Sequence, residues 1–240
     1  MKTTYTLPSN EEKATYVQDK FTQIASKYDL FNDLITQGMH RYWKNFLVRQ
    51  ANLKEGDSAL DICCGTGDIT KRLRKVVGAK GNALGLDFSP GMLQVARTRE
   101  NSDSISFMQG DAMVLPVKDA SLNAVTVGYG LRNVIDIPKC LREVHRALKP
   151  GGKFLSLDVG KVKSPLIKPF FQFYFFYIVP RIGKLLYSEE DMFDYLPHSS
   201  IEYPDQEKLS EIIYAAGFEK VKYYNFVFGG STIHIATKSF

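Results

Sequence analysis

Two glycines and three aspartates in this chain stand at spacings that suit a nucleotide-like ligand. In Ala59-Leu60-Asp61-Ile62-Cys63-Cys64-Gly65-Thr66-Gly67-Asp68 a short apolar run meets a glycine pair and then a helix-length amphipathic segment. Gly65 and Gly67 let the backbone approach a ligand where a side chain would block it. Asp87 ends the next apolar run, 20 residues after Gly67. A Rossmann-type site places a carboxylate there to accept both hydroxyls of a ribose. Gly110-Asp111-Ala112 follows a third run, where a carboxylate can accept an adenine amino group with the Ala112 amide near the ring. Gly128 ends a fourth. The dinucleotide pattern Gly-x-Gly-x-x-Gly fails, because its third glycine position is Thr70. What stands instead is Asp-x-x-x-Gly-x-Gly, with Asp61 ahead of the glycines. That suits a cofactor without a pyrophosphate but with a cationic amino-acid end, which is S-adenosylmethionine. Each motif is weak alone. Their order at successive strand ends carries the reading, since ligands of parallel sheets sit at the carboxyl ends of strands.

The elements that must position these residues alternate. Ala59–Cys63, Ala83–Phe88, Ile105–Met108, Ala124–Val127 and Phe154–Val159 read as strands. Ile69–Val77, Gly91–Arg99 and Ile137–Leu148 read as helices between them, and Lys149-Pro150-Gly151-Gly152 reads as a turn. Such alternation predicts βαβ units, a parallel sheet and an α/β, doubly wound, Rossmann-like fold. Glu207–Ala216 reads as a helix, and Val221–Phe228 and Thr232–Thr237 as strands around Gly229-Gly230, so the sheet should end in an antiparallel hairpin. The first fifty residues read as helices, with Val17, Phe21 and Ile24 and then Trp43, Phe46 and Leu47 at helical spacing. A single domain over 1–240 is expected: a helical lid (1–50), a cofactor-binding core (58–159), an apolar insertion (160–203) and a terminal helix and hairpin (204–240).

Composition narrows the class. At 240 residues, with 44% hydrophobic and 24% charged side chains, the chain is ordinary globular protein. Its net charge of +5 is mild, and no basic cluster speaks for nucleic acid. Three cysteines cannot all pair and show no metal spacing, so a reducing compartment and no metal are expected. Residues 1–10 lack the features of a leader, which makes the cytoplasm the default. Phe170–Pro180 is too short to span a bilayer, although a segment lying on the inner face of a membrane stays open.

Beyond the cofactor motifs, the sequence resembles the menaquinone and ubiquinone biosynthesis C-methyltransferases over nearly its whole length. The resemblance is carried by Gly38-Met39-His40-Arg41-Tyr42-Trp43-Lys44 among others, and its most particular motifs are Tyr28-Asp29-Leu30-Phe31-Asn32-Asp33 and Gly130-Leu131-Arg132-Asn133-Val134. Leu148-Lys149-Pro150-Gly151-Gly152 and Ala216-Gly217-Phe218 are shared more widely. The resemblance implies cofactor contacts at Thr66, Asp87, Asp111 and Ala112, and a prenylated quinol as the substrate. The Cys63-Cys64 pair resembles the menaquinone and phylloquinone branches more than the ubiquinone branch. Cys63 departs from the wider class, which has a glycine there, and Gly128 replaces a serine of some members.

The implied reaction moves a methyl group to a ring carbon beside a quinol hydroxyl. Arg132, His234 and Asp33 are the candidate catalytic residues, with His40 and His145 weighed beside them. Arg132 is permanently charged and can stabilise a phenolate or orient water, or merely pair with a carboxylate. His234 lies within the last strand and can face the pocket or a satisfied cavity. The aromatic stretch Pro169–Pro180, flanked by Lys161, Lys163, Lys168, Arg181 and Lys184, reads as core, as a channel for an isoprenoid tail, or as a membrane contact. Rival readings are methylation of a 2-polyprenyl-benzoquinol, N-methylation of a small molecule or phospholipid, methylation of RNA or protein, and a non-catalytic methyltransferase-like subunit. A homo-oligomer stays open.

Overall fold

The structure, a computed structural model, describes residues 10–99, 104–187 and 191–239. The leader reading of residues 1–10 therefore falls outside the described residues except at Asn10, as do residues 188–190 of the apolar segment.

Five parallel strands form the frame: β1 (Ser58–Ile62), β2 (Asn82–Asp87), β3 (Ser106–Gln109), β4 (Leu122–Gly128) and β5 (Leu148–Val159). The terminal strands β6 (Phe218–Phe226) and β7 (Ser231–Lys238) pair antiparallel, and β7 inserts beside β5. Among the described residues the sheet order is β3-β2-β1-β4-β5-β7-β6. Crossing from β1 toward β2 on one side and β4 on the other creates the switch point at which such sheets bind ligands.

Local chemistry sets the helix starts. Ser89 accepts the Met92 N–H ahead of α5 (Pro90–Thr98), Asp136 accepts that of Lys139 ahead of α6 (Ile137–Ala147), and Asp205 accepts that of Lys208 ahead of α10 (Gln206–Ala215). Pro90 and Pro138 occupy first-turn positions, where a missing N–H is harmless. Lys149-Pro150-Gly151-Gly152 is not a separate turn. It is an irregularity inside β5, across which the register with β4 jumps from Leu122–Leu148 to Ala124–Lys153.

The sheet is covered on both faces. On one, α6 and α10 bury Leu141, Val144, Leu209 and Ile213 against Leu60, Val125 and Phe154. On the other, α3 (Met39–Ala51) and α4 (Asp68–Val77) bury Trp43, Leu47, Leu73 and Val77 against Ala59, Leu155 and Ile233. A third core sits above the carboxyl end of the sheet. There α1 (Asn10–Ile24) and α2 (Tyr28–Thr36) pack Phe21, Ile24 and Phe31 onto Val179, Phe193 and Leu196. Those partners come from α8 (Val179–Leu186) and α9 (Asp191–Glu202), preceded by α7 (Lys168–Phe173) and a wider helical turn at Tyr174–Ile178. The N-terminal helices and the apolar insertion thus share one core. Tyr187 Oη donates to the Ile24 carbonyl (2.7 Å) and Tyr174 Oη to that of Ile35 (2.6 Å), fastening the two together. No helix among the described residues is long and apolar enough to cross a membrane.

Candidate active site

The turn after β1 makes one wall of a cleft. Cys63 sits at φ 50°, in the left-handed region that disfavours a side chain by roughly 1–2 kcal/mol. This is the position where the wider class carries glycine. The chain tolerates cysteine because Gly130 faces it; a Cβ on Gly130 would lie 2.3 Å from Cys63 Cβ. Gly65 also has positive φ, 55°, and a Cβ there would point into open space. That emptiness is what a closely approaching ligand needs. Gly67 has a different reason. It does not line the cleft, and a Cβ on it would meet the Phe107 ring at 2.9 Å.

The cleft itself, about 180 Å³, is lined by Asp61, Gly65, Thr66, Asp87, Asp111, Ala112 and Gly128. Seven of the eight cofactor residues expected from sequence therefore meet in one cavity. Asp87 Oδ2 accepts the Gly65 N–H (2.7 Å) and Oδ1 that of Ser89 (2.8 Å), so this carboxylate also braces the glycine turn. Burial pushes its pKa up, against those hydrogen bonds. Asp111 Oδ1 accepts the Met113 N–H (2.8 Å). Thr66 Oγ1 donates to Asp29 Oδ1 (3.0 Å), and Asp29 pairs in turn with Arg99. That chain ties the glycine turn to α2, which overhangs the cleft.

Asp61 is only 1% exposed. Both of its oxygens accept hydroxyl protons, from Thr70 (2.8 Å) and Thr126 (2.7 Å). Burial raises its pKa to about 7, the two hydroxyls offsetting part of that rise. One lining residue had no role assigned from sequence. Lys44 of α3 is 7% exposed and its Nζ donates to Asp68 Oδ2 (2.9 Å). The visible signal was a lysine set among the apolar residues of the buried face of α3, between Trp43 and Leu47.

A second cavity, of about 360 Å³, adjoins the first and shares Tyr28, Asn32 and Tyr129 with it. Its walls are apolar: Phe31, Ile35, Trp43, Ile167, Phe171 and Phe175 among others. Arg132 is its charged lining residue. Arg132 Nη1 donates to Asp158 Oδ1 (2.6 Å) and to the Tyr129 carbonyl (2.8 Å), while its buried Nε has no protein partner. Burial pushes the Tyr28 phenol upward, and the Arg132 charge opposes that rise. Asp158 was not anticipated; a carboxylate at the end of a buried strand was its signal in the sequence.

Asp33 and His234 are not brought to either cavity. Asp33 accepts from His40 Nε2 (2.8 Å) and from Arg41 Nε (2.8 Å), and it joins α2 to α3. His234 is buried in β7, where Nε2 lies 2.9 Å from the Gln206 carbonyl and the ring packs on Tyr223. Burial lowers its pKa. His40 takes part in the Asp33 group, and His145 is half-buried edge-on to Phe218. Among the described residues no His, Asp or Glu lines the apolar cavity, and no group is placed to hold a metal.

Only the end of the aromatic stretch, Val179 and Pro180, is buried as core. No residue of α7 or of the Tyr174–Ile178 turn is buried. Ile167, Phe171, Tyr174 and Phe175 face the cavity, whereas Phe170 is 77% exposed and Phe173, Tyr177 and Leu166 also lie open.

The sheet order, and a cleft at its carboxyl end that gathers the expected cofactor residues and opens onto an apolar chamber, are those expected of an S-adenosylmethionine-dependent methyltransferase. Comparison with known proteins makes the class narrower. The chain matches the ubiE/COQ5 methyltransferase family over residues 9–238 and belongs to that family. It is 44% identical to a demethylmenaquinone methyltransferase of Leptospira interrogans, over 98% of this chain and 97% of that protein. It is 38% identical to the ubiquinone/menaquinone biosynthesis C-methyltransferase UbiE of Hahella chejuensis, over 95% and 93%. Among solved structures it is similar to a putative methyltransferase of Haloferax volcanii in complex with the Trm112 activator. That likeness has a TM-score of 0.65 at 20% identity, over 92% of this chain and 98% of that one, and speaks for the fold alone.

Proposed function

We propose that the chain methylates a ring carbon of a prenylated quinol of the demethylmenaquinol type. The observation that carries this reading is the shared wall. A chamber lined by rings and aliphatic side chains meets the cofactor cleft at Tyr28, Asn32 and Tyr129, with one buried cation beside it. The name borne by the Leptospira relative supports the substrate class.

When bound, the cofactor supplies an electrophilic methyl group on a sulfonium sulfur. The chain's own work is positioning, because an in-line transfer needs donor and acceptor held in register. Asp87 and Asp111 would hold the nucleoside, and the Tyr28–Asn32–Tyr129 wall, where the two cavities meet, would set the ring toward the methyl group. The ring carbon becomes nucleophilic when its neighbouring phenol ionises, the proton passing to solvent, and the proton displaced from the methylated carbon leaves the same way. Among the described residues no histidine or carboxylate lines the chamber, and Arg132 is the group that favours this ionisation. Its charge stabilises the phenolate, and Asp158 holds the guanidinium in place (2.6 Å). Asp33 and His234 then serve the scaffold.

The aromatic stretch supports two further readings. Its inner face suits an isoprenoid tail. Its outer face sets Leu166, Phe170, Phe173 and Tyr177 beside Lys168 and Arg181, with no acidic residue from Gly160 to Tyr187. That suits a peripheral contact with an anionic bilayer, from which a tailed substrate would enter.

Incubation with labelled S-adenosylmethionine and a panel of reduced demethylmenaquinol, demethylphylloquinol and 2-polyprenyl-benzoquinol tests the proposal. Label should pass fastest to the first and only under reducing conditions, since the quinone has no hydroxyl to ionise. The UbiE name of the Hahella relative makes the benzoquinol the one to compare. Transfer to none of the three, or equal rates under oxidising conditions, refutes it.

A further inference from the structure

The amino-acid end of the cofactor carries a carboxylate as well as an ammonium, and the sequence motifs provide only carboxylates. Among the described residues lining the cleft, Lys44 is the sole Lys or Arg. It is nine-tenths buried, and a buried ammonium is costly unless anions surround it. The anions in reach are fewer than they look. Asp68 is shared between Lys44 Nζ (2.9 Å) and Arg72 Nη2 (3.0 Å), two cations on one carboxylate. Asp61, the next carboxylate, has both oxygens occupied by the Thr70 and Thr126 hydroxyls. Lys44, Arg72 and Asp68 by themselves carry two positive charges against one negative, and Asp61, held by the two hydroxyls, makes no hydrogen bond to Lys44.

We propose that Lys44 binds the α-carboxylate of S-adenosylmethionine, and that α3 thereby contributes to the cofactor site. Reading the amino-acid end thus falls in part to a helix far ahead of the nucleotide motifs in the chain. Asp68 keeps the Lys44 side chain extended toward the cleft.

Two ligands separate this role from a structural one. S-adenosylhomocysteine carries the amino-acid end, whereas 5′-methylthioadenosine lacks it and keeps the nucleoside. Calorimetric titration of Lys44→Met should show S-adenosylhomocysteine affinity falling about 10- to 100-fold, the range for losing one charge-assisted hydrogen bond. Affinity for 5′-methylthioadenosine should stay within about twofold of the parent, below the effect of any single hydrogen bond. Lys44→Arg, which keeps the cation, should recover most of the lost affinity. Lys44→Gln replaces the methionine variant if thermal melts show that one unfolded. Equal losses for both ligands, or an unchanged affinity for S-adenosylhomocysteine, overturns the assignment.

Discussion

Replacing Phe171 and Phe175 together with serine tests whether the aromatic stretch is a substrate wall. The two rings stack at 5.5 Å, line the apolar chamber and are only half-buried. Phe171 also leans on the β6–β7 turn, where a Cβ on Gly230 would meet its ring at 2.3 Å. Full burial of a Phe is worth about 1.5–3 kcal/mol, so half-buried rings contribute about 1 kcal/mol each to the fold. For a chain of this size that lowers Tm by about 2–4 °C per kcal/mol. A long tail loses more. If the rings cover two methylenes' worth of tail, at about 0.8 kcal/mol each, the loss is ~1.6 kcal/mol, or about 15-fold in apparent KM. A quinol with a truncated tail has little to lose. Rates for both tail lengths, with melts of the unliganded proteins, decide the matter. Equal losses for the two quinols, with a melting temperature lowered as a core Phe deletion of about 3–5 kcal/mol would lower it, refute the reasoning.

Asp87→Ala should weaken S-adenosylhomocysteine by about 2–4 kcal/mol, because it removes a charged acceptor pair and frees the glycine turn it braces; unchanged affinity by calorimetry contradicts the ribose assignment. His234→Gln should lower stability by about 1 kcal/mol and leave turnover close to the parent's; a large loss of kcat with an unchanged melt would restore a catalytic role. Asp61 gives a pH signature. Its folded pKa, about 7, exceeds its unfolded value of 3.8, so the folded state holds the extra proton. Its contribution to stability is complete below the unfolded value and is lost as pH rises toward 7. Asp61→Asn should therefore flatten the fall in denaturant midpoint between pH 4 and 7. An unaltered slope would mean that Asp61 titrates normally.

Much of the fold was readable because its determinants are local. Apolar runs of strand length, the caps at Ser89, Asp136 and Asp205, and glycines at positive φ such as Gly65 and Gly67 all depend on near neighbours. The expected cofactor residues share that property: Gly65, Asp87, Asp111 and Gly128 each stand at or just after a strand end, and the sheet order brings such ends together. Tertiary structure decided what depends on long-range company. His234 and Asp33 look reactive in sequence, yet the Gln206 carbonyl occupies one and His40 with Arg41 the other. Lys44 and Asp158 look incidental until folding buries them beside Asp68 and Arg132. The Pro169–Pro180 stretch has no period that tells core from channel, because its residues are apolar all round. Only packing against α2 and the β6–β7 turn separates a cavity face from an open one. Backbone conformation answers to the nearest few residues, whereas the role of a charge or a ring is set by whatever the fold brings within a few ångströms of it.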